Sequence, residues 1–341
     1  MSWSVAIGVD THRDTHVAVA LDGFGQNQGS RVFAADAKGY LGLWQWAQEL
    51  GVPAFAVEGT GSYGAGLGRF LVAAGEEVFE CERPRRTDRR KGKNDLIDAT
   101  LAARCLLADT GLARLRGGGV REDLRLLLLE RRGAVSARTA ALNQLQAVIV
   151  TAPDGLRSRF RGLKGHQAAK VAIGLRDRHD GSETVRRVLR RLGRRVSQLS
   201  REIDEADREL EAATSELVPE LLAECGVGPV CAAQLVVSSG DPARMVSEAS
   251  FAALAGTSPV EASSGPNQRH RLNRGGDRQL NRALHVIALN RVRRHPETVA
   301  YHAKLLAAGK TPREARRCIK RQLARHFYRQ LQTSKNLALT P

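Results

Sequence analysis

Aromatic residues are scarce in this chain, at 4% of its 341 residues. Base stacking on an aromatic platform is therefore not the expected way for it to bind a nucleic acid. The five cysteines are scattered and include no Cys-x-x-Cys pair, which argues against a disulfide framework and against a zinc site. The sequence shows neither a signal peptide nor a long apolar run, so we expect a cytoplasmic protein without a membrane span.

Positive charge is present in excess, with a net charge of +17 and a pI of about 10.5. This balance favours a polyanionic partner, and nucleic acid first. The excess is uneven along the chain. Residues 1–112 hold 12 Lys and Arg against 14 Asp and Glu, whereas residues 113–341 hold 41 against 22. We therefore expect most of the phosphate-binding capacity to lie in the later part of the chain.

The order of apolar patterns predicts three domains and an α/β plus α fold. Strand patterns that alternate with helices predict a mixed-sheet α/β domain over residues 1–115. Residues 116–218 are predicted to be helical, and residues 219–335 to form a mostly helical C-terminal domain. The turn Gly226-Val227-Gly228-Pro229 within it resembles a helix–hairpin–helix element, whose glycines would let backbone N–H groups approach a phosphate.

A heptad pattern runs through residues 185–217, with apolar residues at alternating steps of four and three. It predicts a coiled-coil seam. Two hypotheses follow from it: a helical hairpin that packs within one chain, or an arm through which two or more chains assemble into a homo-oligomer.

Four carboxylates are the strongest candidates for chemistry. Asp10 and Glu58 each end an apolar strand pattern, and Asp95 and Asp98 lie three residues apart where a helix is predicted to begin. Residues three apart share a helix face, so both could reach one ion. Clustered carboxylates repel one another unless a cation holds them, and Mg²⁺ prefers such oxygen ligands. The pattern therefore predicts a Mg²⁺ site of a metal-dependent nuclease, although each acid alone also suits a cap or a strand end.

Two histidines lie close to Asp10 in the sequence. We interpret His12 and His16 as turn and strand residues, although either could position a water molecule. A basic run over residues 83–93 directly precedes the acidic pair and is a candidate nucleic-acid contact. The residues assigned to that contact are Arg85, Arg86, Arg89, Arg90, Lys91 and Lys93.

Ser264 is a candidate nucleophile. Its Ser-Ser-Gly-Pro context also suits a simple turn, and Ser263 is the alternative if the loop is oriented differently. Arginines crowd this loop and the helix after it, and guanidinium groups match the oxygens of a phosphate under attack. These candidate phosphate ligands are Arg269, Arg271, Arg274 and Arg278.

The motifs of the chain resemble those of a known family, the DEDD-type transposases of the insertion sequence 110 family. The N-terminal motifs are Gly8-Val9-Asp10-Thr11-His12, Val57-Glu58-Gly59-Thr60-Gly61 and Asn94-Asp95-Leu96-Ile97-Asp98-Ala99. The C-terminal motifs are Gly226-Val227-Gly228-Pro229, Leu254-Ala255-Gly256-Thr257-Ser258-Pro259, Ser263-Ser264-Gly265 and Arg269-His270-Arg271-Leu272-Asn273-Arg274-Gly275-Gly276-Asp277. One local departure is Pro266, where many members carry a small or basic residue.

The resemblance implies a function as well as a fold. It implies a RuvC-like, ribonuclease-H-type domain in which Asp10, Glu58, Asp95 and Asp98 bind Mg²⁺, and a C-terminal domain in which Ser264 attacks a DNA phosphodiester and forms a phosphoserine. It further implies a structured guide RNA from the element itself and assembly through a coiled-coil middle domain.

Other functions compete with a recombinase. A RuvC-like nuclease would hydrolyse DNA with water and would need only the acids. A non-catalytic nucleic-acid-binding protein would need only the positive charge. A sugar-kinase-like ATPase would use Asp10 in a phosphate-binding hairpin, but no later Gly-rich adenosine loop is visible, and the charge disfavours it.

Overall fold

The structure is a computed structural model in which the chain divides into two units, Met1–Gly118 and Gly119–Thr340. The described residues are 3–81, 94–109, 112–115, 119–176, 183–240, 247–261, 270–271, 273 and 275–334.

The first unit is built on a sheet whose described strands run in the order β3-β2-β1-β4-β5-β6. Strand β1 pairs antiparallel with β2 and parallel with β4, β5 is parallel to β4, and β3 and β6 are antiparallel edges. The predicted mixed α/β domain is thereby confirmed. The strands are β1 Val5–Thr11, β2 Thr15–Asp22, β3 Asn27–Ala34, β4 Pro53–Glu58, β5 Glu77–Cys81 and β6 Leu112–Arg114.

Helices cover both faces of this sheet. The odd-numbered and even-numbered residues of β1 pack into two different cores, and so do those of β4, because successive side chains of a strand point to opposite faces. Val5, Ile7 and Val9 pack with α1 (Ala37–Leu50) and α2 (Ala65–Ala73), whereas Ala6 packs with α3 (Asp95–Ala108). The central strands are buried on both sides, which explains their nearly continuous apolar sequence.

Helix α3 lies unusually close to β1 because the facing residues are small. A Cβ at Gly8 would lie 2.0 Å from the carbonyl oxygen of Ala99 and 2.3 Å from the backbone nitrogen of Ala103. No side chain larger than hydrogen fits at that point. The N-terminus of α3 is fixed in turn by Asn94, whose side chain accepts a hydrogen bond from the amide of Leu96 at 3.0 Å.

Two long helices begin the second unit, α4 (Val120–Thr151) and α7 (Glu183–Leu217). The shorter α5 (Asp154–Arg157) and α6 (Gly165–Ile173) lie between them in the sequence. The heptad positions of α7 are buried within the chain: Leu189 and Val196 pack with α6 and the end of α4, and Leu210 and Leu217 pack near the start of α4. Assembly through this seam stays a prediction.

The C-terminal part shares its core with the ends of α4 and α7, since Leu124, Leu210 and Phe327 lie in one buried cluster. The division at residue 218 therefore stays a prediction. The remaining elements are α8 Pro219–Leu222, α9 Pro229–Ser239, α10 Glu248–Leu254, β7 Val260–Glu261, β8 His270–Arg271, α11 Arg278–Arg294, α12 Pro296–Ala307 and α13 Pro312–Thr333.

The predicted hairpin turn lies between α8 and α9 and is held by α11. The guanidinium of Arg291 donates to the carbonyl of Cys225 at 2.8 Å and pairs with Glu224. The role of this turn as a phosphate contact stays a prediction. In the part of the chain that the structure describes, none of the helices combines the length and apolarity needed to cross a bilayer.

Candidate active site

Asp10 and Glu58 end adjacent strands on the same face of the sheet, whereas the group of potential metal ligands that the structure brings together consists of Asp10, His12 and Asp95. Asp10 has the same parity in β1 as Ala6 and Gly8, and Glu58 has the same parity in β4 as Ala54 and Ala56. The alanines of both strands, Ala6, Ala54 and Ala56, pack against α3. The parallel register aligns Val9 with Val57, so Asp10 and Glu58 follow at the same level. Strand geometry thus directs both carboxylates to the α3 side, at the carboxyl ends of adjacent strands.

Helix α3 supplies the other two acids in its first turn. Asp98 directly precedes Ala99, the residue that contacts Gly8, and it is buried at 7% exposure. The side chain of Asp95 is 47% exposed. Asp10 and Glu58 are 6% and 7% exposed. The site therefore has a buried set of carboxylates and one carboxylate open to solvent.

His12 links two of these acids. Its Nε2 lies 3.3 Å from Oδ2 of Asp10 and 3.1 Å from Oδ2 of Asp95. One ligand atom from each of the three residues lies within 4.8 Å of the others, close enough for a single metal ion. We interpreted His12 as a turn residue from the sequence. His12 directly follows the last residue of β1, so its contacts depend on the turn and not on strand alternation.

The end of β4 is fixed by a side chain from β1. The Thr11 hydroxyl donates a buried hydrogen bond of 2.7 Å to the backbone carbonyl of Glu58. The chain then turns at Gly59, whose carbonyl accepts from the amides of Ser62 and Gly64. This turn leads into α2. The carboxylate of Glu58 is thus carried on a backbone that is anchored to the strand bearing Asp10.

His16 lies on the opposite side of the sheet from the acids. It is fully buried and stacks on Tyr40, with ring centroids 5.7 Å apart. Burial lowers the pKa of His16, which favours the neutral ring. The sequence-based suggestion that it could position a water beside Asp10 is not supported by this placement.

The donor set suits a hard divalent cation. Carboxylate oxygens are the ligands that Mg²⁺ prefers, and a nearby imidazole is compatible with it. Buried carboxylates at the same strand level are also more stable as anions when a cation lies between them. The described residues thus fit a divalent metal ion, and its identity stays a prediction.

Several predicted residues lie outside the described part of the chain. They are Arg85, Arg86, Arg89, Arg90, Lys91, Lys93, Ser263, Ser264, Arg269 and Arg274. Their assigned roles stay predictions. Arg271 in β8 and Arg278 at the start of α11 are described, and both are exposed. The pairing of Val260 with Arg271 and of Glu261 with His270 brings together the two ends of the segment that contains Ser264.

A sheet of this order with acids at the ends of β1 and β4 and on α3 is compatible with a RuvC-like domain. Comparison with known proteins is more specific. A transposase model for the DEDD type of IS110 elements matches residues 7–152, and the model "Transposase IS116/IS110/IS902 family" matches residues 220–303. The chain is thus similar to IS110-type transposases over two separate segments.

One similar relative comes from Streptomyces coelicolor. It is named "Insertion element IS110 uncharacterized 43.6 kDa protein" and is 36% identical over 100 residues. The matched stretch is 29% of this chain and spans only 25% of the relative's length.

Proposed function

We propose that this protein is a transposase of the IS110 type that cuts and rejoins DNA. The observation that supports the proposal is that Asp10 and Glu58 end adjacent strands at the same level on the sheet face that α3 covers, while Asp95 and Asp98 lie in the first turn of α3. The similarity over residues 7–152 spans all four acids, and the similarity over residues 220–303 spans the serine-bearing segment. The four acids and the proposed nucleophile, which together would form one site, thus both lie within segments that are similar to IS110-type transposases.

In this proposal the four acids hold Mg²⁺. The ion, when bound, would polarise the scissile phosphate and stabilise the charge that develops during attack. The buried Asp10, Glu58 and Asp98 keep their oxygens fixed, because each is carried on packed backbone. The half-exposed Asp95 forms the open side, where a DNA strand can approach. Nε2 of His12 lies 3.3 Å from Asp10 and 3.1 Å from Asp95, which makes this ring a further candidate ligand of the ion.

Ser264 is the proposed nucleophile. Its oxygen forms a bond to phosphorus while the phosphorus–oxygen bond to one strand end breaks, so that strand end leaves as a hydroxyl and the other stays on the serine. Attack by another strand's hydroxyl reverses the step and rejoins DNA. Three residues of chain span at most about 11 Å, so Ser264 cannot lie far from Glu261 at the end of β7.

A guide RNA and an oligomer complete the proposal. Support for a second polyanion comes from α5, α6 and the first half of α7. Among the described residues 154–201, ten Lys and Arg are exposed, and the exposed acids are Asp154 and Glu183. Charges of one sign at this density repel one another until a polyanion neutralises them. The heptads of α7 remain the candidate assembly surface, although their apolar seam is already used within the chain.

The test is an excision and strand-exchange assay in cells that carry the element ends. We expect Asp10→Asn, Asp98→Asn and Ser264→Ala each to lower recombination by about 100-fold or more. Asp14→Asn is the matched acid control, because this exposed residue lies in the turn after β1. Ser263→Ala is the serine control. Recombination at wild-type level in Asp10→Asn or Ser264→Ala would overturn the assigned roles.

The second candidate is a RuvC-like nuclease that uses water. It is favoured by the position of all four predicted acids within the first unit. Trapping with element DNA and denaturing electrophoresis separate the two candidates. A recombinase leaves a denaturation-resistant protein–DNA adduct that disappears in Ser264→Ala, whereas a nuclease cuts DNA without any adduct.

A further inference from the structure

A basic cavity lies in the C-terminal part of the second unit, away from the acid cluster in sequence. Its volume is about 690 Å³. It is lined by the segment Gly256–Pro259, by Arg271 in β8 and Asn273 after it, by Tyr301 and Lys310, and by the first half of α13. The basic residues of this lining are Arg271, Lys310, Arg317, Lys320 and Arg321, and its acid is Glu314.

Lys320 forms the fixed inner wall of the cavity. It is 8% exposed, and its ammonium group donates to Oδ1 of Asn281 at 2.7 Å. Asn281 in turn donates to the carbonyl of Ala255 at 2.6 Å. Lys320 is therefore tied to the Gly256–Pro259 segment through a single amide. An ammonium group has three donors, and among the described residues the hydrogen bond to Asn281 uses one of them.

The Gly256–Pro259 segment is held by tight backbone packing. Gly276 has a φ of +85°, and a Cβ there would lie 2.3 Å from the carbonyl oxygen of Leu254. The amide of Asp277 donates to the same carbonyl at 2.6 Å, and its side chain caps α11. The cavity wall is thus preorganised rather than a loose surface loop.

The charge in the cavity is unbalanced. Glu314 offsets only part of it: this single acid accepts hydrogen bonds from the amide and hydroxyl of Thr311 at 2.8 and 2.7 Å and also interacts with the charges of Lys310 and Arg317. Nη1 of Arg321 is buried and makes no hydrogen bond to any described residue. Burial and then the neighbouring Arg317 lower the pKa of Lys320. A cluster of cations that destabilise one another favours the binding of an anion.

We propose that this cavity binds a phosphate group of a DNA strand, held by Lys320, Arg317 and Lys310. The choice of DNA rests on the proposed function, since Val260 and Arg271 pair where the serine-bearing segment leaves and rejoins the cavity wall. Guanidinium and ammonium groups form charge-assisted bonds with phosphate oxygens, and a buried lysine fixes the position of the first one. The cavity would thus anchor the strand beside the nucleophile's segment.

The first experiment uses inorganic phosphate and the full chain. Phosphate should raise the melting temperature above that in chloride at equal ionic strength, because it binds the folded state. Arg317→Gln should weaken phosphate binding about tenfold, the loss of one bond to a charged group. The matched control is Arg313→Gln, an exposed residue of the same helix that does not line the cavity, and it should respond like wild type. The proposed phosphate site would be overturned if phosphate stabilised both variants equally, or if it did not stabilise the wild type.

The second experiment measures DNA and RNA duplexes of one sequence by fluorescence anisotropy in EDTA, where no chemistry occurs. With DNA, Arg317→Gln should lower the slope of log affinity against log salt by about one, and Arg313→Gln should leave it unchanged. A loss confined to RNA would overturn the choice of DNA. Because cleavage is not measured, a failure of strand transfer would be visible separately from a failure of this site.

Discussion

Gly8→Ala tests whether the approach of α3 to β1 controls the acid site. The new methyl group would lie 2.0 Å from the carbonyl oxygen of Ala99 and 2.3 Å from the nitrogen of Ala103, and both are backbone atoms. Backbone cannot rotate away as a flexible side chain can. Ordinary contact begins at 3.4 Å, so α3 must move by about 1.4 Å, and it carries Asp95 and Asp98 with it.

The size of the effect follows from that displacement. Overpacking of a core typically costs about 1–3 kcal/mol of unfolding free energy. A misplacement of about 1 Å at a reacting centre can lower a rate by about 100-fold. Activity should therefore fall far more than stability, and the variant should remain folded at 25 °C because a domain of this kind has about 5–15 kcal/mol to lose.

Urea unfolding and the excision assay measure the two quantities. Gly23→Ala is the matched control, since a Cβ there would meet nothing within 4 Å. We expect that variant to keep both stability and activity. Wild-type recombination in Gly8→Ala would refute the reasoning, because it would mean that the acids tolerate a displaced helix.

Two further changes test contacts near each candidate site. Thr11→Val should lose about 1–2 kcal/mol in urea unfolding, since the buried Glu58 carbonyl loses its donor, whereas Thr11→Ser should keep most of that stability. Burial acts to raise the pKa of Glu224, but His326, Gln330 and Arg291 outweigh it, and the net pKa lies below the ordinary value of 4.5. Its stabilisation is present above about pH 4.5 and is lost as the pH falls through the lower folded value. Unfolding free energies measured from pH 6 to pH 3 should therefore fall more steeply in wild type than in Glu224→Gln, and identical slopes would contradict the assignment.

Strand alternation explains why the acid face could be predicted from sequence. An apolar run that ends in Asp10 and another that ends in Glu58 require only that the strands be adjacent and parallel for the carboxylates to meet. The helix start at Asn94 then follows from its capping side chain. The role of His12 could not be predicted in the same way, because its contacts depend on how the turn after β1 meets the docked helix.

The heptad pattern shows the opposite case. The seam of apolar residues in α7 predicts that another helix packs against it, but it does not distinguish a helix of the same chain from a helix of a second chain. Here Leu189 and Leu217 contact elements of the same chain. The basic cavity was also invisible in the sequence, because Lys320 and Asn281 are far apart in the chain and meet only when α13 packs on α11. Of its arginines, only Arg271 is a candidate from the sequence, as part of the serine-bearing loop.

Because the two ends of α7 are buried in different cores, the length of the helix sets the distance between those cores. Leu217 is fixed in the C-terminal core and Leu189 in the arginine-rich end, with 28 residues of continuous helix between them. At 1.5 Å per residue the separation is about 42 Å, or about twelve base pairs of DNA at 3.4 Å each. A flexible tether would let the two cores drift apart, whereas this rod fixes their separation, which would change by about 10 Å for every heptad added or removed.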